Sequence, residues 1–431
     1  MAAGWIRFCV CILLVIGSGR ALLADSSYRE IFEAAWNEVA KSYYDSKVID
    51  GKWNALRDRY ADRLARVENR EGFEALMAEM LRELGDSHFS IVSHSFSDLM
   101  PNAWGGGDAG LSLSVVGNRP VIHRVRPGSP AALAGIRPGF ELSEVEGTSA
   151  GALFSKVKGA DIFVKTRPYY FLKAMENRFY GPPGKSISLT VKNGRSGRPQ
   201  SYAFELGAYS GLMSLPMGNI GETPIELETR FLKSGIAYLR FSLWMPSVME
   251  EIRSFIKSIG EDSKGLIIDL RGNPGGIGLM AAGLAGMLVE EERQMGTMRL
   301  QKGHLNFNVY PQKGAFLGPL AVLIDNNSIS TSEIFAADMK ETGRGRLFGT
   351  KTPGAALPSV FKNLPAGYML QMAIADYVTS SGQRIERIGV RPDAKVELSP
   401  SLLRKGQDNV VRAAEKWILR QNRSQAIKHG K

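Results

Sequence analysis

Residues 320–337 read Leu320-Ala321-Val322-Leu323-Ile324-Asp325-Asn326-Asn327-Ser328-Ile329-Ser330-Thr331-Ser332-Glu333-Ile334-Phe335-Ala336-Ala337. Five consecutive apolar residues without polar alternation describe a strand buried on both faces. The Asp-Asn-Asn-Ser run that follows is turn chemistry, and the apolar residues after Ser332 continue as a helix. The stretch predicts strand, tight turn and helix, with Ser330 at the helix start, where free amides and the helix dipole stabilise developing negative charge. The same residues also fit a plain capping box, Ser330 with Glu333 three positions on, and caps far outnumber reactive serines.

Upstream the same grammar repeats. Ile236 to Phe241 reads as a strand, Val248 to Ile259 as a helix, Leu266-Ile267-Ile268-Asp269-Leu270 as a second buried strand and Leu279 to Val289 as a helix. Such alternation predicts parallel strands joined by crossover helices. Between the second strand and its helix, Asp269-Leu270-Arg271-Gly272-Asn273-Pro274-Gly275-Gly276 forms a glycine-rich turn that exposes backbone amides. The amides of Gly275 or Gly276, with that of Thr331, are candidates for an oxyanion hole, although a packing turn would look the same. Val410 to Leu419 reads as a surface helix.

Toward the N-terminus, residues 26–84 carry apolar residues at helical spacing. Ser27-Tyr28-Arg29-Glu30 has the form of a capping box opening a first helix (Ile31, Phe32, Ala35, Trp36, Val39). A second helix carries Trp53, Leu56 and Tyr60; a third, from Phe73 to Leu84, stops at Gly85. After Gly105-Gly106-Gly107 the pattern changes to short strands, Leu111 to Val115 and Val121 to Val125, a Gly128–Ile136 turn and helix, and a late strand from Ile187 to Val191. Gly181-Pro182-Pro183-Gly184-Lys185-Ser186 is read as a turn, because a phosphate loop needs glycine where Phe179 stands.

The 431 residues exceed one ordinary core and predict two to four folding units. Arg7, the apolar run Phe8 to Ile16 and the small residues up to Ala24 read as a signal peptide cleaved near Ala24, since the run is shorter than the roughly 20 residues of a membrane span. The expected location is periplasmic or secreted, with membrane attachment only if that segment is kept. Cys9 and Cys11 both lie inside it, so the mature chain would have no disulfide, zinc-thiolate site or cysteine nucleophile. The formal charge of +11 is spread among interleaved acids and bases, with no basic stripe for nucleic acid. His94, His123, His304 and His429 lack metal-ligand spacing. Neither metal nor cofactor is expected.

The order of Leu84-Gly85-Asp86-Ser87-His88, the short-strand insert, the Arg271–Gly276 turn and the Ser330 turn resembles the C-terminal processing (tail-specific) peptidases and the tricorn protease core, over most of residues 25–400. The insert itself resembles a PDZ domain, with Gly110-Leu111-Ser112-Leu113 at the carboxylate-binding loop, a module that takes up a peptide as an added strand. The resemblance implies an α/β multidomain fold: signal peptide 1–24, helical domain 25–102, PDZ-like β domain 103–207, a crotonase/ClpP-like α/β catalytic domain 208–400, and a C-terminal helix and tail 401–431.

One departure bears on mechanism. The tail-specific branch pairs its serine with a later lysine, and Ala355 occupies that position; Lys351, four residues earlier, leaves a shifted pair open. The tricorn-like branch instead uses the histidine of a Gly-x-Ser-His segment, oriented by the neighbouring serine and a later glutamate. Those roles fall on His88, Ser87 and on Glu386 within Ile385-Glu386-Arg387-Ile388-Gly389-Val390-Arg391-Pro392-Asp393. The expectation is a serine peptidase cleaving exported polypeptides near exposed or C-terminal segments through an acyl-enzyme, with Ser330 as nucleophile and His88 as base. The rivals are a peptide-binding protein that has lost its chemistry and a hydrolase for a non-peptide ester or amide.

Overall fold

A computed structural model describes residues 16–92, 104–159, 162–194, 197–216, 222–260 and 263–428. The leader's apolar run up to position 15, with Cys9 and Cys11, and His94 and His429 lie outside the described residues. Among the described residues no helix is long and apolar enough to cross a membrane.

Helices α1 (Ile16–Ser42), α2 (Asn54–Leu64) and α3 (Arg70–Arg82) form the N-terminal unit. Their apolar stripes meet in one core containing Ile31, Trp36, Trp53, Tyr60, Phe73 and Met77. The capping box expected at Ser27 is not a helix start. Helix α1 runs through it, because Ala21, Leu22, Leu23 and Ala24 are helix formers and no glycine or proline lies between them and Ser27. After α3 the chain forms a short strand, β1 (Ser90–Val92), which joins this unit to distant sequence as described below.

The middle unit is a sheet of β2 (Leu111–Val116), β3 (Arg119–Val125), β4 (Glu141–Val145), β5 (Ser186–Lys192) and β6 (Pro199–Glu205), paired antiparallel in that order. Helix α4 (Arg167–Glu176) packs against β2, which lies at the edge. Leu113, Ile122, Leu142, Phe171, Leu189 and Val191 fill its core.

The third unit is a six-stranded sheet in chain order: β7 (Leu227–Phe231), β8 (Ala237–Phe241), β9 (Leu266–Asp269), β10 (Leu320–Ile324), β11 (Arg346–Gly349) and, after the strand β12 (Met369–Ala373), β13 (Ala394–Lys395). Only β7 with β8 is antiparallel; the other pairs are parallel. Helices α5 (Pro246–Ser258), α6 (Leu279–Gly286) and α7 (Thr331–Glu341) contribute to the core on one face, with Val248, Ile252, Leu284 and Phe335. Helix α8 (Asn409–Lys428) closes the other face with Val410, Val411, Ala414 and Ile418, against Ile267, Ala321 and Leu323. Burial on both faces explains the unbroken apolar runs of β9 and β10. Helix α6 stops at Gly286, short of the expected Val289: a Cβ at Gly286 would lie 2.2 Å from the carbonyl oxygen of Tyr310, so another segment crosses there.

The contact that matters most for the site joins two units. Strand β1 pairs antiparallel with β12, Ser90 opposite Gln371 and Ile91 opposite Leu370, and the other edge of β12 pairs antiparallel with Ser359–Asn363. Ile91, Leu370 and Met372 then enter the core of the N-terminal helices. The segment just before β1, residues 84–88, is thereby fixed beside the third unit.

Candidate active site

At the end of β10 the chain turns sharply into α7, and Ser330, half-buried, adopts φ +56° and ψ −118°. A non-glycine residue in this region is strained and persists only where its surroundings over-determine it. Here they do. The Ser330 amide donates to the Ala355 carbonyl at 3.0 Å and to Glu333 Oε2 at 3.2 Å. Glu333, fully buried, also accepts from Thr352 Oγ1 (2.6 Å), Gly354 N (2.7 Å) and Ala355 N (2.8 Å). Burial pushes its carboxyl up to about 7, opposed first by the Thr352 hydroxyl and then by these amides. The expected capping glutamate therefore does more than cap: it fastens the serine turn to the loop after β11.

The glycine turn after β9 is anchored from below. Arg271 Nη2 lies 2.6 Å from Asp269 Oδ2 and 2.8 Å from Asp408 Oδ2, and Asp408 Oδ1 caps α8 by accepting from the amides of Val410 and Val411. Above this anchor the turn touches the serine: a Cβ on Gly275 would lie 2.7 Å from Ser330 Cβ and 3.0 Å from Thr331 N. Gly275 (φ +101°) must therefore be glycine for both space and conformation. Its amide, however, donates to Asn273 Oδ1 at 2.9 Å and is not free for a ligand. The amides of Gly276 and Thr331 donate to no protein acceptor among the described residues. The Thr331 hydroxyl donates to the Gly276 carbonyl at 2.9 Å and fixes these two residues relative to each other. Of the three expected oxyanion amides, Gly276 and Thr331 have the free geometry.

His88 comes from the N-terminal unit and is strained as well, with φ +61°. Its Nδ1 lies 2.7 Å from Ser87 Oγ, and Ser87 Oγ donates to Glu386 Oε2 at 2.9 Å. Since the Ser87 proton is directed to the carboxylate, its oxygen accepts from Nδ1–H, which leaves Nε2 as the unprotonated nitrogen. Glu386, also buried, accepts from the Ser87 amide (2.8 Å) and the Ala356 amide (2.9 Å), and burial raises its carboxyl above the usual range. Burial lowers the His88 imidazole to about 4, so it is neutral at ordinary pH.

These pieces form one continuous run. Ser330 bonds to Ala355, Ala356 bonds to Glu386, Glu386 to Ser87, and Ser87 to the His88 ring. No hydrogen bond joins His88 to Ser330 directly. Lys351, the alternative base, is exposed near Arg391 and Lys165 and has no bond to Ser330. Ala355, at the position expected for a dyad lysine, is buried and contributes its backbone alone.

Sequence reasoning missed the support behind His88. Asp86 accepts from the hydroxyls of Tyr43 (2.8 Å) and Tyr44 and pairs with Arg387 at 2.7 Å. Asp86 and Arg387 stood inside the quoted segments, next to Ser87 and Glu386, and that adjacency was the available signal. Asn273, which takes the Gly275 amide, lay in plain view in the glycine turn.

The expected peptide-binding residues lie elsewhere. Leu111 and Leu113 are buried in the middle core, whereas Gly110 and Ser112 line a cavity of about 990 Å³ between the middle sheet, β7, β8 and α8. That cavity includes neither Ser330 nor His88. Among the described residues no group of three or more His, Cys, Asp or Glu side chains is arranged to hold a metal ion.

A strained serine at a helix start, two free amides beside it and a neutral, carboxylate-linked imidazole are the parts of serine-type hydrolysis. Residues 235–396 match the model of peptidase family S41, and residues 24–82 match the tricorn protease C1 domain. The carboxyl-terminal-processing protease of Synechocystis sp. is 24% identical over 390 residues, spanning 89% of this chain and 84% of that protein. Among solved structures, the photosystem II D1 C-terminal processing protease superposes with a TM-score of 0.58 at 21% identity, covering 87% of this chain and 94% of that one. Mature CPAF superposes with 0.60 at 14% identity, covering 92% and 97%. By class the chain is a serine-type peptidase. Its matched regions resemble the C-terminal processing peptidases and the tricorn protease core.

Proposed function

We propose that the chain is an exported peptidase that cleaves polypeptides near exposed or C-terminal segments through an acyl-enzyme, with Ser330 as nucleophile and His88 as base. The observation that carries this reading is the hydrogen-bonded run from Ser330 through Ala355, Ala356, Glu386 and Ser87 to the imidazole. Ser330 Oγ attacks the scissile carbonyl carbon while its proton passes to His88 Nε2, and the oxyanion is held by the amides of Gly276 and Thr331. The imidazolium formed is stabilised through Ser87 by the Glu386 carboxylate. As the tetrahedral intermediate collapses, His88 returns the proton to the leaving amine; water then hydrolyses the ester by the same route. The contact between His88 and Ser330 forms with substrate, since such bonds tighten in the reactive complex.

The middle unit is read as a PDZ-like peptide-binding module, supported by its edge strand β2 lying beside α4. Export is our reading of the leader-like residues 1–24; relatives named as chloroplastic processing peptidases are consistent with it. The test is Ser330→Ala, expected to lower turnover of an unfolded protein by roughly 10⁴ to 10⁶. A fluorophosphonate should label Ser330 in the parent chain and fail to do so in His88→Ala. An undiminished rate in Ser330→Ala refutes the reading.

A further inference from the structure

Strand β2 pairs with β3 on one side and ends the middle sheet on the other, where α4 runs alongside. The Leu113 amide on β2 takes no part in that ladder's bonding to a neighbouring strand at the open edge. It donates to Glu176 Oε1 at 2.9 Å. The second oxygen, Oε2, accepts from Lys173 Nζ at 2.8 Å, one helical turn earlier on α4. Glu176 is 7% exposed. Both oxygens of a carboxylate are thus matched at this edge, one by a strand amide and one by an ammonium, in surroundings that exclude most water.

An added peptide strand ending in a free carboxylate presents the same group to the same donors. We propose that Glu176 is a built-in competitor for the C-terminal carboxylate of a peptide at the β2 edge, so that a polypeptide tail enters only when the Glu176 side chain swings out. The inference rests on reading the middle unit as a peptide-binding module. The exchange replaces one carboxylate by another on the same two donors, and the released Glu176 returns to water; the cost of binding is set by how rarely Glu176 leaves. Apparent affinity then falls by the fraction of molecules in which the edge is open. A tail must supply more than its carboxylate, through strand pairing and side-chain contacts, which biases the edge toward extended, apolar ends.

The experiment uses the full chain carrying Ser330→Ala, so that nothing is cleaved, and two fluorescent ten-residue peptides with an apolar last residue, one a free acid and one amidated. Adding Glu176→Gln or Glu176→Ala should tighten binding of the free acid by on the order of tenfold, as expected if the edge opens about one time in ten. The amidated peptide, which offers Lys173 no carboxylate, should bind more weakly than the free acid to every chain. Equal affinity of the free acid for all three chains overturns the proposal, as does an amidated peptide bound as tightly as the free acid. If no chain binds either peptide while the parent Ser330 still reacts with a fluorophosphonate, the peptide-binding reading of the module falls, and this proposal with it, but the peptidase reading stands.

Discussion

Arg387 Nη2 stands 2.7 Å from Asp86 Oδ1, so the residues adjoining Ser87 and Glu386 are themselves paired. Two consecutive residues of the N-terminal unit are thereby clamped to two consecutive residues of the third unit. One clasp is an ion pair and the other a hydrogen-bonded carboxylate. Asp86→Asn removes the charge and leaves its tyrosine donors a weaker acceptor. The expected effect is a fall in kcat on the order of 10²-fold, as for a small misplacement of a reacting group, with KM little changed. A parallel fall in the rate of fluorophosphonate labelling checks that the imidazole has moved; labelling at the parent rate rejects the positioning role.

Glu386→Gln keeps the shape and removes the negative charge that, in the proposed mechanism, stabilises imidazolium through Ser87. Loss of the corresponding carboxylate in a serine-histidine-aspartate site costs about 10⁴ in kcat. With a hydroxyl interposed here, a loss of 10² to 10⁴ is expected, measured as kcat on an unfolded protein substrate. Ser87→Ala should give a similar loss, and combining the two should add little, because both cut one relay.

The pH profile tests the burial of His88. Its imidazole is lowered to about 4, so the neutral, base-competent form persists well below the usual histidine range. The acid limb of kcat/KM should therefore fall near pH 4 instead of near 6.5. The stability linkage has the same sign. Between the folded and unfolded values the unfolded chain binds the extra proton, so this group favours the folded state above about pH 6.5, and that contribution is lost as the pH drops toward 4. An acid limb centred near 6.5 would contradict a desolvated base.

Gly275→Ala would place a methyl group 2.7 Å from Ser330 Cβ and 2.9 Å from the Ile329 carbonyl oxygen. The serine turn must shift, and the oxyanion amides shift with it. A loss of about 10² to 10³ in kcat is expected, the range for losing an oxyanion donor, in a protein whose circular dichroism is unchanged.

Glu333→Ala removes the acceptor of three backbone amides and the Thr352 hydroxyl in a fully buried place. Leaving buried donors unpaired costs about 1–3 kcal/mol each. Even partial rehydration leaves several kcal/mol, which for a unit of this size lowers Tm by roughly 10 °C. A calorimetric Tm within a degree or two of the parent would show that Glu333 does not hold the turn.

What was legible in the sequence follows range of interaction. The apolar runs of β9 and β10 are local patterns and became the strands expected; Val410 to Leu419, read as a surface helix, became a longer helix that buries Val410, Ala414 and Ile418 against the sheet. The Ser330 turn was legible as a strand-to-helix corner. Its capping-box reading proved compatible with a reactive serine, because Glu333 accepts from the Ser330 amide while also holding a second loop. The pairing of Ser87 with Glu386 spans 299 positions and has no local signature beyond the two motifs. The same holds for Leu113 with Glu176, and for β1 on β12. Ser27 misled because a capping pattern predicts a helix start only where the preceding residues do not continue the helix.

The three-residue strand β1 belongs to a site split between two stretches of chain. Ser330 and the amides beside it belong to the third unit, whereas the imidazole is carried by the first ninety residues and held by pairing at Ser90, Ile91 and Val92 together with the Asp86–Arg387 and Ser87–Glu386 contacts. On the proposed mechanism, opening all of these contacts at once would take the base away from the serine while leaving the turn around it intact.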